Sequence, residues 1–309
     1  MRPVRTAALV MVAVLPLAGC ASSDAVPTDT TAAPPTSHVH QHADDRSLGE
    51  PDRPVAGPQG AIPQFLVECE YSHAAEDDPI VHPGEPGASH LHVFFGNTTT
   101  DADTTIESLA TGDTTCDQRL DKAAYWAPAL LRDGEMITPV KSTAYYRPGI
   151  DVDPTIVQPF PEGLVMIAGS AGAMEAQPVS IVAWTCGLGI EREVTPPECA
   201  PDRVLRLLVT FPDCWDGEHL DSGSHKAHVA YSSKGVCPGS HPVPVTQLQF
   251  SVEYPVSGNV DGLELASGGL LTGHADFMNG WDPDKLASEV ALCLHREVVC
   301  GVTSGRKTG

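Results

Sequence analysis

The sequence predicts a mainly β fold: a single-domain β-sandwich with long decorated loops and one or two short helices. Three observations lead there. Gln247–Tyr254 alternates polar and apolar residues without a break, the period of a strand with one face on a core. Residues 63–71, 90–95, 179–185, 204–211 and 227–232 are rich in Val, Ile, Phe and Tyr and are bounded by Gly, Pro and Asp, which marks them as further strands. The chain also carries 28 Gly and 28 Pro, so its connections are many and long. A closed barrel is the main alternative. One helix is legible after Trp281. Asp282 is a natural N-cap, Pro283 fits the first helical position and Asp284 suits the helix dipole. Leu286, Val290, Cys293 and Leu294 then recur at helical spacing. A second, short helix is expected around residues 105–109.

The ends of the chain read differently. Arg2 and Arg5 precede a short apolar run over residues 7–17, too short for a bilayer and suited to a cleaved signal segment over residues 1–19. Leu17-Ala-Gly-Cys20 resembles the lipobox of bacterial lipoproteins, which implies cleavage before Cys20 and a lipid anchor on its thiol. Residues 20–60 are rich in Ala, Ser, Thr, Pro and Asp and lack an apolar period, as expected of a disordered tether. His38, His40 and His42 lie in it, either as solvated linker or as a weak metal trap. The folded domain is expected over residues 61–302, with a disordered tail over 303–309. The expected setting is extracytoplasmic, at the cell membrane, with the domain a monomer.

A formal charge of −22 excludes nucleic acid as a partner, because phosphate contacts need Lys and Arg. It also makes the lipid, rather than a basic face, the connection to the membrane. Of nine cysteines, eight remain once Cys20 is set aside, and an even number in an exported chain argues for disulfides. Proximity pairs Cys186 with Cys199, Cys214 with Cys237 and Cys293 with Cys300, leaving Cys69 and Cys116. A zinc-thiolate site is the competing reading, but no Cys-x-x-Cys occurs.

Residues 211–228 hold His219, His225, His228, Asp213, Asp216, Asp221, Glu218, Cys214 and Trp215. Imidazoles and carboxylates at this density point to a polar, pre-organised site for metal binding or acid/base work, or else to a turn network of Asp and Ser on backbone amides. In the second segment, residues 89–97, a strand puts Leu91, Val93 and Phe95 on one face and His90, His92 and Phe94 on the other. Two imidazoles side by side chelate one ion or pair a base with a donor. In the third, residues 273–282, His274 and Asp276 face the same way on an extended segment, where a carboxylate raises the basicity of an imidazole. His241, between Cys237-Pro238 and Pro242, reads as a loop residue. Tyr125-Trp126 and Tyr145-Tyr146 are aromatic pairs that suit either a sugar platform or a core.

These motifs coincide with a known pattern. Asp78-Pro-Ile-Val81, Pro86-Gly-Ala-Ser-His-Leu-His92, Phe94-Phe-Gly-Asn97 and Thr114-Thr-Cys116 are its first pieces. Tyr125-Trp-Ala-Pro-Ala-Leu130, Pro159-Phe-Pro-Glu-Gly-Leu164 and Phe211-Pro-Asp-Cys-Trp-Asp-Gly217 follow. Leu220-Asp-Ser222, Cys237-Pro238, His241-Pro242 and His274-Ala-Asp-Phe277 complete it. In this order they resemble the DUF1996 domain of secreted actinobacterial and fungal proteins, over nearly all of residues 65–300. The family pattern often has Asp immediately before the first His of the His-x-x-His pair. Here that residue is Ser224, which leaves Asp213, Asp216, Asp221 and Asp276 as the carboxylate candidates. The resemblance implies an extracytoplasmic setting and supplies no reaction.

Three functions fit these residues. The first is a hydrolase or lyase acting on an extracellular polysaccharide. His90, His92, Asp216, His228, His274 and Asp276 would be its catalytic groups, and Trp215, Tyr145, Asn279 and Trp281 would hold the substrate. The second is a non-catalytic lipoprotein that binds a metal, Zn or Cu, through His90, His92 and His228, or binds another ligand. The third is a structural wall module whose histidines only satisfy loops. Convergence of His90, His92, His228 and His274 separates the first two from the third.

Overall fold

Nine antiparallel strands carry the fold. They are β1 (Phe65–Ala75), β2 (His92–Gly96), β3 (Ala124–Pro128), β4 (Lys141–Arg147), β5 (Val165–Gly169), β6 (Val182–Cys186), β7 (Leu205–Thr210), β8 (Gln247–Tyr254) and β9 (His274–Met278). They pair in the order β5-β9-β3-β2-β1-β4-β8-β7-β6. The computed structural model describes residues 62–187 and 191–300, with the short strand Arg53–Pro54. The predicted signal segment, Cys20, the histidines of the predicted tether and residues 303–309 lie outside the described residues. Arg53–Pro54 falls inside the predicted tether but pairs antiparallel with Val298–Val299, because that strand offers it a row of backbone donors and acceptors.

β1 shapes the rest. Its first half, Phe65 to Glu70, pairs with β4, and its second half, Tyr71 to Ala75, pairs with β2. The register shifts between Tyr71 and His73; a bulge of this kind bends a strand and lets it pass from one layer to the other. One layer is therefore β1-β4-β8-β7-β6 and the other β1-β2-β3-β9-β5. Their inner faces meet in one core. Tyr125 of β3 stacks on Phe250 of β8 at 5.5 Å, and Phe95 of β2 meets the same ring edge-on at 5.8 Å.

β8 has the predicted bounds, yet it is buried on both faces. Leu248, Phe250, Val252 and Tyr254 enter the core, and Gln247, Gln249 and Ser251 on the opposite face are covered as well. β3, β4, β5 and β9 carry no strict alternation. Ala124–Pro128 and His274–Met278 are buried at every position, and a strand covered on both faces loses the period-two signal. Tyr125, Trp126 and Tyr146 are accordingly core residues. The predicted strand at 227–232 contracts to Val229–Ala230 because the Val229 amide turns back to the Lys226 carbonyl. Strand β6 begins at Val182, after a turn on the Pro178 carbonyl.

Both helices form. α1 (Ile106–Leu109) is capped by Thr105, whose hydroxyl accepts from the Ser108 amide. α2 (Pro283–Glu289) starts at Asp282, whose carboxylate accepts from the Lys285 amide at 2.9 Å, and continues as a π-turn over Val290–Leu294. Leu286, Val290, Cys293 and Leu294 all enter the core. The four disulfides are Cys69–Cys116, Cys186–Cys199, Cys214–Cys237 and Cys293–Cys300, the pairing that proximity predicts. A zinc-thiolate site is thereby excluded at these eight cysteines.

Cys214–Cys237 closes a span of 23 residues that includes His219, His225 and His228. Restricting a loop of that length in the unfolded chain is worth about 3 kcal/mol. Replacing both Cys214 and Cys237 by Ala is expected to lower the urea-unfolding free energy by about that amount, while far-ultraviolet circular dichroism at zero urea stays that of the parent.

Candidate metal centre

The outer face of the second layer is not open to solvent. Phe94, Ala124, Trp126, Val165 and Met278 form a small second core there, covered by Ile80, by Leu109 of α1 and by the chain around them. His92 and Phe94 project onto this face from β2, and His274 and Asp276 from β9, as the alternation predicts. β3 lies between the two. Phe94 and Asp276 both pair with Trp126. Extending that register by two residues places His92 and His274 on either side of Pro128.

They meet at short range. The ring centroids of His92 and His274 are 5.7 Å apart, and His90, just before β2, lies 4.2 Å from His92 and 5.0 Å from His274. One ligand atom from each of His90, His92 and His274 lies within 4.8 Å of the others; the same holds for Asp78, His92 and Asp276. A divalent ion bonded to imidazole and carboxylate at about 2.0–2.2 Å holds its ligand atoms up to about 4.4 Å apart, so a separation at the 4.8 Å limit would close by a few tenths of an ångström. Such an ion would bridge the 3.9 Å between His274 Nε2 and Asp276 Oδ2, a gap too long for a hydrogen bond.

The tautomers are set from outside. His92 Nδ1 donates to the Asp77 carbonyl at 2.9 Å, and His274 Nδ1 to the Thr272 carbonyl at 2.8 Å. Each Nε2 lone pair is thus directed into the cluster, the arrangement that orients histidine ligands. His90 Nε2, His92 Nε2 and Asp276 Oδ2 are buried without a hydrogen-bond partner. Orphaned polar atoms cost about 1–3 kcal/mol each and call for an ion or other partner.

Burial sets the protonation. It pulls His90 down, with the His82 charge adding to it. It holds His92 well below its ordinary value, helped by His90 and His274, and takes His274 to about 4. The three imidazoles are therefore neutral at pH 7 and ready as ligands. Burial and the neighbouring Asp78 push Asp276 well above the carboxylate range. Asp78 is itself raised by burial, against the amides of Ile80 and Val81, which its Oδ1 accepts at 3.0 Å. Asp78 is not among the sequence-predicted site residues; its sequence signal is an acid before Pro79 at the start of a turn. Its loop, which follows β1, folds back over the face and delivers it.

The remaining candidates lie elsewhere. His228 is buried, but both its nitrogens are occupied: Nε2 donates to the Val165 carbonyl at 2.7 Å, and Nδ1 accepts from Ser222 Oγ at 3.0 Å. It is a structural tie between residues 222–228 and β5, with no lone pair left for a metal. Asp216 accepts from the amides of Glu218 and His219 and from the His219 ring. Trp215 donates to the His219 carbonyl. Asn279 and Trp281, expected at a sugar cleft, are 1% and 2% exposed, and Trp281 donates to Tyr146 Oη. They are core because Trp281 pairs with Asp121 beyond β9 and packs edge-on against Phe65 and Tyr146, while Asn279 donates to the Pro161 carbonyl. Tyr145 is half-buried on the outer face of the first layer, paired with Leu66 and Gln249. His225 binds Asp221, and His241 holds the Ala227 carbonyl.

Fold and site define a disulfide-stapled β-sandwich carrying a buried cluster of three histidines and two carboxylates on the outer face of one layer. The family model described as "Domain of unknown function (DUF1996)" matches residues 78–281, a span holding all five cluster residues, and the chain belongs to that family. No curated protein and no solved structure matches the chain.

Asp216 yields a pH prediction free of the cluster. Burial opposes its ionisation, but the amides of His219 and Glu218 and the His219 ring outweigh it and bring the carboxyl to about 2. A folded value below the unfolded one gives stability that is present above the unfolded value and lost as pH falls through the folded one. Asp216→Ala is expected to cost about 1 kcal/mol at pH 7, and urea unfolding at a series of pH values should show the gap closing between about pH 4 and pH 2.

Proposed function

We propose that this domain is an extracytoplasmic, lipid-anchored transition-metal-binding module that holds one Zn or Cu ion through His90, His92, His274 and Asp276, with Asp78 beside them. The observation that carries the reading is the set of buried, unpartnered atoms His90 Nε2, His92 Nε2 and Asp276 Oδ2, with the rings of His92 and His274 pinned through Nδ1. Imidazole and carboxylate donors suit Zn and Cu among the divalent ions. Protonated Asp276 would release its proton as the ion enters, so uptake is expected to liberate acid. Four disulfides fit an oxidising compartment, which agrees with the signal segment and Cys20. A structural module with separate histidines is disfavoured by the clustering itself.

Catalysis has a narrower basis. His90 is only half-buried, so solvent approaches the cluster from its side, and three imidazoles are also the donor set of hydrolytic zinc sites with an open position. The polysaccharide reading loses Asn279 and Trp281 as sugar contacts, since both are buried.

Elemental analysis of the purified tag-free protein, with His38, His40 and His42 replaced by Gln, tests the proposal. About one Zn or Cu per chain is expected. His92→Ala and His274→Ala should each weaken metal binding by at least about 100-fold, since loss of an outer-shell partner alone typically costs 10–100-fold. His228→Ala should keep its metal. Absence of metal after reloading, or equal loss in His228→Ala, would remove the metal centre.

A further inference from the structure

A second site lies on the first layer, lined by none of the clustered histidines. It is a cavity of about 740 Å³ whose wall includes Arg147 and Arg192, a size ordinary for small-molecule sites. The two guanidiniums are neighbours, and among the described residues neither forms an ion pair, although Asp151, Asp213 and Glu297 also line the cavity. Gln249, with its amide oxygen turned inward, accepts from Arg147 Nη2 at 3.2 Å, Arg192 Nη2 at 2.9 Å and Thr210 Oγ1 at 3.0 Å. That shared acceptor is neutral. Among the described residues the arginine ion pair is made elsewhere, by Arg206 with Glu253. Burial and the adjacent Arg192 charge pull Arg147 down to about 10, so it remains a cation at pH 7.

Two partly buried like charges without a counter-ion are costly, and an anion between them offsets that cost. This arrangement is the more notable in a chain of net charge −22, where carboxylates are plentiful. The lining holds another unsatisfied group, packed against Gly149. Asp213 is 1% exposed and its Oδ2 has no partner, while its Oδ1 accepts from the Ser232 amide. Ile62, Val152, Pro154, Pro178 and Ile181 supply an apolar surface around these polar groups.

Arg192 Nη1 also donates to the Val179 carbonyl at 3.3 Å. We infer that this cavity binds a small monocarboxylate with an apolar body, its carboxylate held by the guanidinium N–H groups of Arg147 and Arg192 that Gln249 and Val179 leave unused. A guanidinium matches a planar carboxylate in a bidentate way, and the apolar lining requires more than a bare inorganic anion. Asp151 and Glu297, both exposed members of the wall, repel a dianion more than a monoanion, which favours carboxylate over phosphate.

Calorimetry on the full chain with 2-naphthoate, 2-naphthamide and inorganic phosphate as probes tests the assignment. One naphthoate per chain is expected, with the isosteric amide bound at least about tenfold more weakly, since it lacks the charge that the arginines meet. Arg192→Gln, a half-buried position outside the nine strands, should cost naphthoate binding a similar factor. Arg147→Gln should do the same, with circular dichroism confirming the fold of both. Equal binding of naphthoate and naphthamide, no binding of either, or unchanged affinity in folded Arg192→Gln would overturn the site. Phosphate binding tighter than naphthoate would overturn the carboxylate assignment.

Discussion

The sandwich depends on one bent strand. β1 pairs with β4 along its first half and with β2 along its second, and the bulge between Tyr71 and His73 separates the two pairings. With that bend, two layers share one core and remain a single hydrogen-bonded sheet. The bend is held locally. Cys69, two residues before it, is bonded to Cys116, while the Glu70 amide and carbonyl are met by the Thr115 carbonyl and hydroxyl. After Ala75 the chain turns back over the outer face of the second layer, so the same bend sets where Asp77 and Asp78 lie. The orientation of His92, which donates to the Asp77 carbonyl, follows from it.

Burial then produces the chemistry. Two buried carboxylates show how much depends on partners rather than on depth. Asp121 is fully buried and pushed up to about 8 by that burial. Its oxygens are nevertheless both satisfied, one by the Ala123 amide and the other by Tyr125 Oη, in a network that continues through Tyr146 to Trp281. Asp276 is buried to the same degree, but its Oδ2 meets no donor and faces imidazoles whose lone pairs point toward it. The first is a closed structural network. The second is the set of groups on which the proposed cation site rests. Neutral imidazoles beside a protonated acid carry little charge into the layer, which keeps the cluster compatible with folding.

Part of the site was legible in the sequence for a simple reason. Side chains two apart on a strand share a face, so His90 with His92 and His274 with Asp276 were paired without any knowledge of the sheet. That His92 and His274 meet was not legible, because it depends on β3 running between their strands with Pro128 in register. β3 itself was hidden by the very burial that makes the site dry, since a strand covered on both faces shows no alternation. His228 illustrates the opposite failure. Its local company of Asp, Ser and His looked like a site, but one nitrogen is held by Ser222 and the other by the distant Val165 carbonyl.

By itself, the sequence determined what is local or combinatorial. The strand Gln247–Tyr254, the Asp282 cap, the α2 core face and the cysteine pairing follow from periodicity, capping chemistry and proximity, which act over a few to a few dozen residues. Only the tertiary structure decided which imidazoles share an ion-sized space, which carboxylate lacks a partner, and that Arg147 and Arg192 stand together over a cavity. Each of these is a contact between segments far apart in the chain. Its energy comes from desolvation and from the partners that the fold supplies or withholds, and neither quantity exists until the layers close.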